Sequence, residues 1–162
     1  MCGITGFISP YLSENSFQKN IECMTNKLEH RGPDDKGIWF DSNSGIALGH
    51  SRLSIIDLSN AGRQPMISAC QRYYIVFNGE IYNHMELRKR LGEFGEKIKS
   101  NGDTVSLAYC IDKWGVEESI KILEGMFAIG VWDKKERCLF LARDFAGIKP
   151  LFYGINKNGF VF

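Results

Sequence analysis

Two apolar segments constrain the fold of this chain more than any other feature of its sequence. Residues 125–132 are apolar almost throughout, and residues 73–77 are all aromatic or β-branched. Residues 125–132 are typical of a strand covered on both faces, because a strand with one face in water alternates apolar and polar residues. Residues 73–77 are typical of a strand. The polar turn at 133–136 then leads into residues 137–142, which we predict to return as a hairpin partner. We therefore expect a sheet that is covered on both sides.

Three other segments show the apolar spacing of amphipathic helices. They begin near Ser13, Asn83 and Asp103, and the Gly and Pro residues within 30–35 end the first of them. The apolar residues that share one face are, in order, Phe17, Ile21, Met24 and Leu28; Leu87, Leu91 and Phe94; and Leu107, Cys110, Ile111 and Trp114. Further strands are predicted at 3–8, 37–40 and 46–51. Helices available to cover buried strands indicate layered sheets with helices outside.

Length and charge exclude several classes of function. The 162 residues suit one domain, at about 100–200 residues per domain. Lys and Arg number 20 against 19 Asp and Glu, and this balance argues against a nucleic acid or an anionic membrane as partner. No apolar run approaches the roughly 18 residues of a membrane span, and the first residues lack the pattern of a signal peptide. We predict a cytoplasmic domain, and a homodimer stays open.

The five cysteines contain no CxxC pair, and an odd, scattered set indicates reduced thiols. Four are predicted to be small core residues, which is how free cysteine usually behaves: Cys23, Cys70, Cys110 and Cys138. The three histidines lack zinc-ligand spacing with the cysteines, so we predict no metal site and interpret each as structural: His30, His50 and His84. No glycine-rich phosphate loop is present, so this segment is not expected to bind ATP itself.

Cys2 lies too close to the start of the chain for a core position. An ordinary thiol, with a pKa of about 8.5, is mostly protonated at neutral pH and needs a base to become a nucleophile. Removal of Met1 would give Cys2 a free α-amine, ordinarily of pKa about 7.7–8.0, that can accept this proton. Gly3 would let a substrate approach the backbone closely. Taken alone, this start is equally consistent with an ordinary cysteine.

Six ordered motifs accompany Cys2 along the whole chain. They are Met1-Cys2-Gly3-Ile4-Thr5-Gly6, His30-Arg31-Gly32-Pro33-Asp34, His50-Ser51-Arg52-Leu53-Ser54-Ile55, Phe77-Asn78-Gly79-Glu80-Ile81-Tyr82-Asn83, Gly125-Met126-Phe127-Ala128, and Arg143-Asp144 with Gly147-Ile148-Lys149-Pro150-Leu151. The series resembles the glutaminase domain of glutamine-dependent asparagine synthetases, a class II amidotransferase. The resemblance implies the N-terminal nucleophile hydrolase fold, an α+β protein built as a four-layer αββα sandwich. This fold agrees with the layered sheets that the residue pattern indicates.

The resemblance implies catalytic roles for three residues. Cys2 would attack the carboxamide of glutamine, and Asn78 and Gly79 would supply a side-chain and a backbone N–H to the oxyanion that forms. Taken locally, an Asn-Gly pair after an apolar strand instead predicts a hairpin turn. Arg31 and the following Gly-Pro-Asp loop are expected to pack near the nucleophile without a chemical step of their own. Arg143-Asp144 and Lys149-Pro150 are interpreted as structural, closing the final strands and contributing to the domain boundary.

Three further residues are implied to bind the substrate. Arg52 would hold the α-carboxylate of glutamine in a bidentate pair, although any single Arg at a strand end could simply face solvent. Asp103 would take the α-ammonium with Glu80 close by, although an Asp before a helix is ordinarily an N-cap. Gly102 and Val105 depart from the Ser and Glu common in the family, which changes the surroundings of Asp103.

The implied reaction is the hydrolysis of L-glutamine to glutamate and ammonia, with no cofactor in this domain. In the family, ammonia passes to a C-terminal synthetase domain that uses ATP and Mg to aminate aspartate. We expect 1–162 to be the glutaminase domain, truncated near its C-terminal end in a closing strand at 159–162, with the synthetase domain absent. Two alternatives stay open: an acceptor other than aspartate, such as a surface-sugar uronate, and a relative that binds glutamine without catalysis.

Overall fold

The computed structural model describes residues 1–53 and 62–162. Ser54 and Ile55, at the end of one sequence motif, lie outside these described residues. The elements follow in the order β1 (Gly3–Ile8), α1 (Glu14–Lys27), a 3-10 turn (Glu29–Arg31), β2 (Asp35–Asp41), β3 (Ile46–Arg52), β4 (Met66–Ile67), β5 (Tyr73–Ile81), α2 (His84–Leu91), α3 (Glu93–Glu96), α4 (Asp103–Trp114), α5 (Val116–Lys121), β6 (Gly125–Asp133), β7 (Cys138–Arg143), β8 (Gly154–Asn156) and β9 (Gly159–Val161).

The strands form two antiparallel sheets that pack face to face. The first sheet has the order β2-β3-β1-β9-β8 and the second the order β4-β5-β6-β7. Ile46 and Leu48 of the first sheet are fully buried against Val76 and Trp132 of the second. The strands predicted at 73–77 and 125–132 are β5 and β6, which pair along their whole length from Tyr73 opposite Asp133 to Ile81 opposite Gly125. They therefore form the centre of the second sheet.

Helices cover the outer face of each sheet. Phe17 of α1 packs with Phe7 and Ala47 on the first sheet. On the second sheet the cluster joins α2 and α4 to β5, β6 and neighbouring elements; its buried members include Ile75, Phe77, Leu87, Leu107, Ile111 and Ile129. The layers therefore run helix, sheet, sheet, helix, which confirms the predicted α+β, four-layer αββα sandwich. The N-terminal strand β1 lies inside the first sheet, between β3 and β9.

The helix predicted from Asn83 is shorter than its apolar spacing indicated. It ends at Leu91, because Gly92 adopts a φ of +61° that turns the chain out of the helix. Phe94 consequently lies in α3 and is 45% exposed, so its predicted place on the shared face was wrong. Asn83 precedes α2 but does not cap it. Its side chain instead donates to the carbonyl of Ile122 and accepts from the N–H of Glu124.

Three of the four cysteines predicted in the core are exposed. Only Cys110 is buried, in α4, and this burial raises the pKa of its thiol to about 11. Cys23 lies on α1 away from its buried face, and Cys138 begins the edge strand β7. Cys70 lies in the turn before β5, where its thiol contacts the carboxylate of Asp112 at 2.8 Å. The prediction failed because small size allows core positions but does not require them.

Residues 1–53 and 62–162 contain neither a helix that could span a membrane nor a cluster of metal ligands. Among them, no helix has the length and apolar content needed to cross a membrane, and no group of three or more His, Cys, Asp and Glu side chains is placed to hold a metal ion.

An aromatic ring fills the space above a glycine of β1. A Cβ at Gly6 would collide with the ring of Phe162 and lie 2.7 Å from the carbonyl oxygen of Ala47. The backbones of Gly6 and Phe162 also exchange two hydrogen bonds, of 2.9 and 3.1 Å. Close packing between β1 and the last residues of the chain therefore depends on the missing side chain at position 6.

His50 links the two sheets through one buried hydrogen bond. Its Nε2 atom lies 3.2 Å from the carbonyl oxygen of Phe77, and the residue is 1% exposed. Burial lowers its pKa from 6.5 to about 4, although the contact with the Phe77 carbonyl opposes this. The ring is therefore neutral at physiological pH, and Nε2 carries the proton that it donates to that carbonyl.

We predict that Gly6→Ala lowers the free energy of unfolding by about 1–3 kcal/mol, because the added methyl overpacks the contact with Phe162 and Ala47. Urea unfolding followed by circular dichroism measures this change. Gly154→Ala is the matched control, since a Cβ there has its nearest neighbour at 4.0 Å. Equal effects of the two substitutions would show that the packing at Gly6 is not tight.

We predict that the protein loses stability between pH 7 and pH 4.5 because of His50. The unfolded chain binds a proton near the ordinary pKa of 6.5, whereas folded His50 stays neutral down to about 4. The folded state is therefore disfavoured as the pH falls through this window, by about 2 kcal/mol at pH 4.5. Urea unfolding at both pH values should show that His50→Gln removes this part of the loss. An unchanged pH dependence in the variant would contradict the neutral, buried state of His50.

Candidate active site

A cavity of about 240 Å³ opens where β1, β3 and β5 meet the start of α4. The structure brings all six residues predicted for the site to its wall: Cys2, Arg52, Asn78, Gly79, Glu80 and Asp103. They come from sequence positions separated by up to a hundred residues, and the stacking of the two sheets brings them together. Lys149, His50, Gln64 and Val105 line the same cavity.

Asn78 and Gly79 lie within β5, opposite Ala128 and Phe127 of β6. The hairpin turn that an Asn-Gly pair indicates locally is therefore excluded, because the strand continues to Ile81. Asn78 is 5% exposed, and its side chain belongs to the wall of the cavity. A Cβ at Gly79 would collide with the carbonyl oxygen of Met126, so only glycine fits here without moving the backbone.

The backbone N–H of Gly79 lies on the edge of β5 that faces the cavity. Strand β4 pairs with Tyr74 and Ile75 of β5. Beyond these two residues, side chains form hydrogen bonds to the backbone along this edge of β5. Phe77 N donates to Gln64 Oε1 at 2.6 Å, and Ile81 N donates to Asp103 Oδ2 at 3.0 Å. Because N–H groups alternate along a strand, that of Gly79 points to the same side. Residues 78 and 79 thus present an amide side chain and a backbone donor together.

Cys2 is half-buried just before β1. Its Sγ atom accepts a hydrogen bond from the backbone N–H of Leu53 at 3.4 Å and lies 3.7 Å from the Leu53 carbonyl. Arg31 donates from Nε to the carbonyl oxygen of Cys2 at 3.2 Å, as its predicted packing near the nucleophile requires. These contacts hold the Cys2 sulfur at the wall of the cavity.

Opposite charges face the rest of the cavity. Arg52, 8% exposed, ends β3, and a Cβ at Gly62 would collide with its guanidinium. Asp103 is the first residue of α4, while Gly102 occupies the cap position. Its carboxylate accepts from Ile81 N and from Thr104 N at 2.7 Å, so the N-cap interpretation of Asp103 was wrong. Glu80 lies exposed beside it on β5.

The departures from the family pattern also lie at the cavity. Gly102 and Val105 flank Asp103 in its wall. The apolar Val105 leaves Asp103 and Glu80 as the carboxylates of the described residues in this wall. An ammonium group bound at this end would therefore meet two carboxylates.

Lys149, Gln64 and Asp144 were not assigned to the site from the sequence. Lys149 was interpreted as structural, yet it is 7% exposed and lines the cavity, with Nζ 3.4 Å from Met1 Sδ. The carboxylate of Asp144 accepts backbone N–H groups from Lys149, Ile148 and Phe127, and these bonds hold its pKa below the usual range. Asp144 thus has the structural role predicted for its segment. Its Gly-Ile-Lys-Pro motif was the available signal for Lys149.

The arrangement suits a small zwitterion that carries a carboxamide. A guanidinium and two carboxylates can hold the charged groups of an amino acid, while Cys2 and the donors at Asn78 and Gly79 meet its side chain. A nucleophile beside oxyanion donors is the arrangement that acyl transfer requires.

Comparison with known proteins agrees with this geometry. The sequence pattern of the glutamine amidotransferase domain matches residues 1–162. The chain is 39% identical over 166 aligned residues to glutamine-hydrolyzing asparagine synthetase 3 of Bacillus subtilis, covering 100% of this chain and 26% of that protein. It is 38% identical over 168 residues to amidase chry2 of Gibberella zeae, covering 98% of this chain and 25% of that protein. The chain thus spans about a quarter of the length of these relatives.

A solved structure shares the fold at low sequence identity. Glutamine phosphoribosylpyrophosphate amidotransferase from B. subtilis, complexed with ADP and GMP, superposes with a TM-score of 0.75 at 20% identity, over 99% of this chain and 41% of that chain. At this identity the likeness concerns the fold alone. The family match over residues 1–162 goes further: the chain belongs to the glutamine amidotransferase domain family.

Proposed function

We propose that this chain hydrolyses L-glutamine to glutamate and ammonia through a glutamyl thioester on Cys2. The observation that supports this most is the convergence of Cys2, Asn78, Gly79, Arg52 and Asp103 on one cavity. The membership of the chain in the amidotransferase family points the same way. A role limited to binding glutamine would not need the thiol and the oxyanion donors together.

The nucleophile is the Cys2 sulfur after removal of Met1. Its freed α-amine takes the thiol proton, and Sγ forms a bond to the carboxamide carbon of glutamine. The oxyanion that results is stabilised by the Asn78 side chain and the Gly79 N–H, and the amine returns the proton to the leaving nitrogen as the C–N bond breaks. Ammonia departs and the thioester remains. Water, deprotonated by the same amine, then adds to the thioester carbon. The C–S bond breaks, which releases glutamate, and the amine returns the proton to the sulfur to restore the thiol.

The charged groups of the cavity orient the substrate. Arg52 holds the α-carboxylate, and Asp103 with Glu80 holds the α-ammonium at the other side. The hydrogen bonds that Asp103 accepts from Ile81 and Thr104 fix its carboxylate before substrate arrives. Such positioning lowers the entropic part of the barrier, since the carboxamide is held against the sulfur.

The ammonia is used by a further domain in our proposal. Asparagine synthesis from aspartate is the favoured reaction, because the B. subtilis relative is named for it and is about four times longer than the match. That synthetase domain would bind ATP and Mg, while the glutaminase domain needs no cofactor. Amidase chry2 carries a different name at similar identity, so an acceptor other than aspartate is the alternative.

Five exposed apolar side chains of one segment offer a place for that domain to pack: Phe145, Ile148, Phe152, Tyr153 and Ile155. These residues lie around Lys149 in sequence, and the side chain of Lys149 lines the cavity. A domain packed on this segment would contact the part of the chain that carries Lys149 to the cavity, which suits the direct transfer of ammonia.

We predict that the untagged chain with Met1 removed releases glutamate from L-glutamine and that Cys2→Ala abolishes this activity. A coupled glutamate assay measures it, and intact mass confirms the removal of Met1. Cys23→Ala is the matched control, because Cys23 is an exposed thiol outside the cavity. Glutamate release by Cys2→Ala would overturn the mechanism at its first step. A folded, correctly processed chain that binds glutamine without hydrolysis would support the binding-only alternative.

We also predict that Asn78→Ala lowers kcat by about 100- to 1,000-fold, with little change in KM, because it removes a donor that acts on the oxyanion. Steady-state kinetics with L-glutamine measure both constants. Asn20→Ala, on the exposed face of α1, is the control and should leave both unchanged. A rise in KM with unchanged kcat would instead assign Asn78 to ground-state binding.

A further inference from the structure

Lys149 places a buried cation at the wall of the cavity that holds Cys2. It is 7% exposed and lines the same cavity as Cys2. Within residues 1–53 and 62–162, the contact of its Nζ atom is the thioether of Met1, at 3.4 Å. A thioether is a weak acceptor, and a lysine ammonium is rarely buried without a stronger partner. Removal of Met1 deletes this contact.

The backbone of Lys149 is held firmly in this position. Asp144 accepts the N–H of Lys149 at 2.9 Å and that of Ile148 at 2.8 Å. The same carboxylate accepts the N–H of Phe127 at 3.1 Å, and Phe127 pairs with Gly79 in the central strands. Lys149 is therefore attached to the strand pair that carries the oxyanion donors. The backbone from which its side chain enters the cavity is therefore fixed.

The other charged groups around Cys2 do not cancel the charge of Lys149. The proposed substrate pose pairs Arg52 with the α-carboxylate, and Glu80 and Asp103 with the α-ammonium. His50 is neutral, because burial lowers its pKa to about 4. Arg31 contacts the Cys2 carbonyl and adds positive charge there. With glutamine bound, Arg31 and Lys149 are therefore cations that the pose does not pair with the substrate.

We propose that Lys149 is a positioning residue whose ammonium keeps the α-amine of Cys2 unprotonated and therefore able to act as a base. This rests on the proposed glutaminase mechanism. An α-amine has an ordinary pKa of about 7.7–8.0, so at pH 7 most of it would be protonated and inactive. A cation nearby disfavours the protonated amine, and the same charge favours the thiolate, so proton transfer between them is not opposed.

The test compares the pH dependence of wild type, Lys149→Met and Lys149→Arg, each with Met1 removal confirmed by intact mass and folding by circular dichroism. The measurement is kcat/KM for glutamate release between pH 5.5 and pH 9. We expect Lys149→Met to move the acid limb upward by about one pH unit, with recovery at high pH. Lys149→Arg should keep the wild-type limb. Lys134→Met, at an exposed lysine in the turn after β6, should superpose on wild type.

A uniformly lower kcat/KM with an unmoved acid limb would overturn the proposal, since it would show that Lys149 only packs. If Lys149→Met does not fold, Lys149→Gln serves in its place with the same expected shift.

A second readout separates this proposal from the glutaminase reaction itself. The rate at which iodoacetamide alkylates Cys2, located by peptide mass spectrometry, is followed over the same pH range without glutamine. We expect its midpoint to rise in Lys149→Met and to stay in Lys149→Arg. If wild type releases no glutamate but this shift is present, the proposed function fails and the role of Lys149 stands. If the midpoint does not move, the role of Lys149 is overturned.

Discussion

The pairing of β5 with β6 is the interaction on which the rest of the structure depends. Nine residue pairs, from Tyr73 opposite Asp133 to Ile81 opposite Gly125, lock the two strands in one register. Because side chains alternate along a strand, a shift of one residue would turn the buried set outward and reverse the direction of the Gly79 N–H. The same ladder carries the bond from Phe127 to Asp144 and the bond from Ile81 to Asp103. The register of β5 and β6 therefore determines both the packing of the core and the geometry of the cavity.

The cavity exists because β5 is incompletely covered along one edge. Strand β4 has only two residues, and the exposed ladder groups beyond it are bonded by side chains. Gln64 accepts a hydrogen bond from the N–H of Phe77, and Asp103 accepts one from the N–H of Ile81. His50 donates to the carbonyl of Phe77. A longer β4 would occupy these groups and close the edge, including the donor at Gly79. The N–H of Gly79, which a neighbouring strand would satisfy, is thereby available to a ligand.

The sequence predicted the layered architecture well, because long apolar runs have few alternatives to buried strands. It failed at Phe94, where apolar spacing continued but the left-handed backbone of Gly92 ended the helix. Local patterns alone would have assigned the Asn-Gly pair to a turn, and only the ordered motifs indicated a site. The place of Gln64 in the site could not be predicted from either, because it depends on a contact with a strand 13 residues away, and the motif around Lys149 marked that residue without indicating its burial in the cavity.

The hydrogen bonds between Gly6 and Phe162 have a consequence for the order of synthesis. Strand β1, which follows Cys2, pairs with β9, and the two can meet only after residues 159–162 have emerged from the ribosome. A nascent chain that ends before Phe162 leaves one edge of β1 unpaired and the space above Gly6 unfilled. Domains generally fold as units during translation. Strand β1 is thus completed only about 150 residues after its own synthesis, and the thiol beside it gains its final environment late.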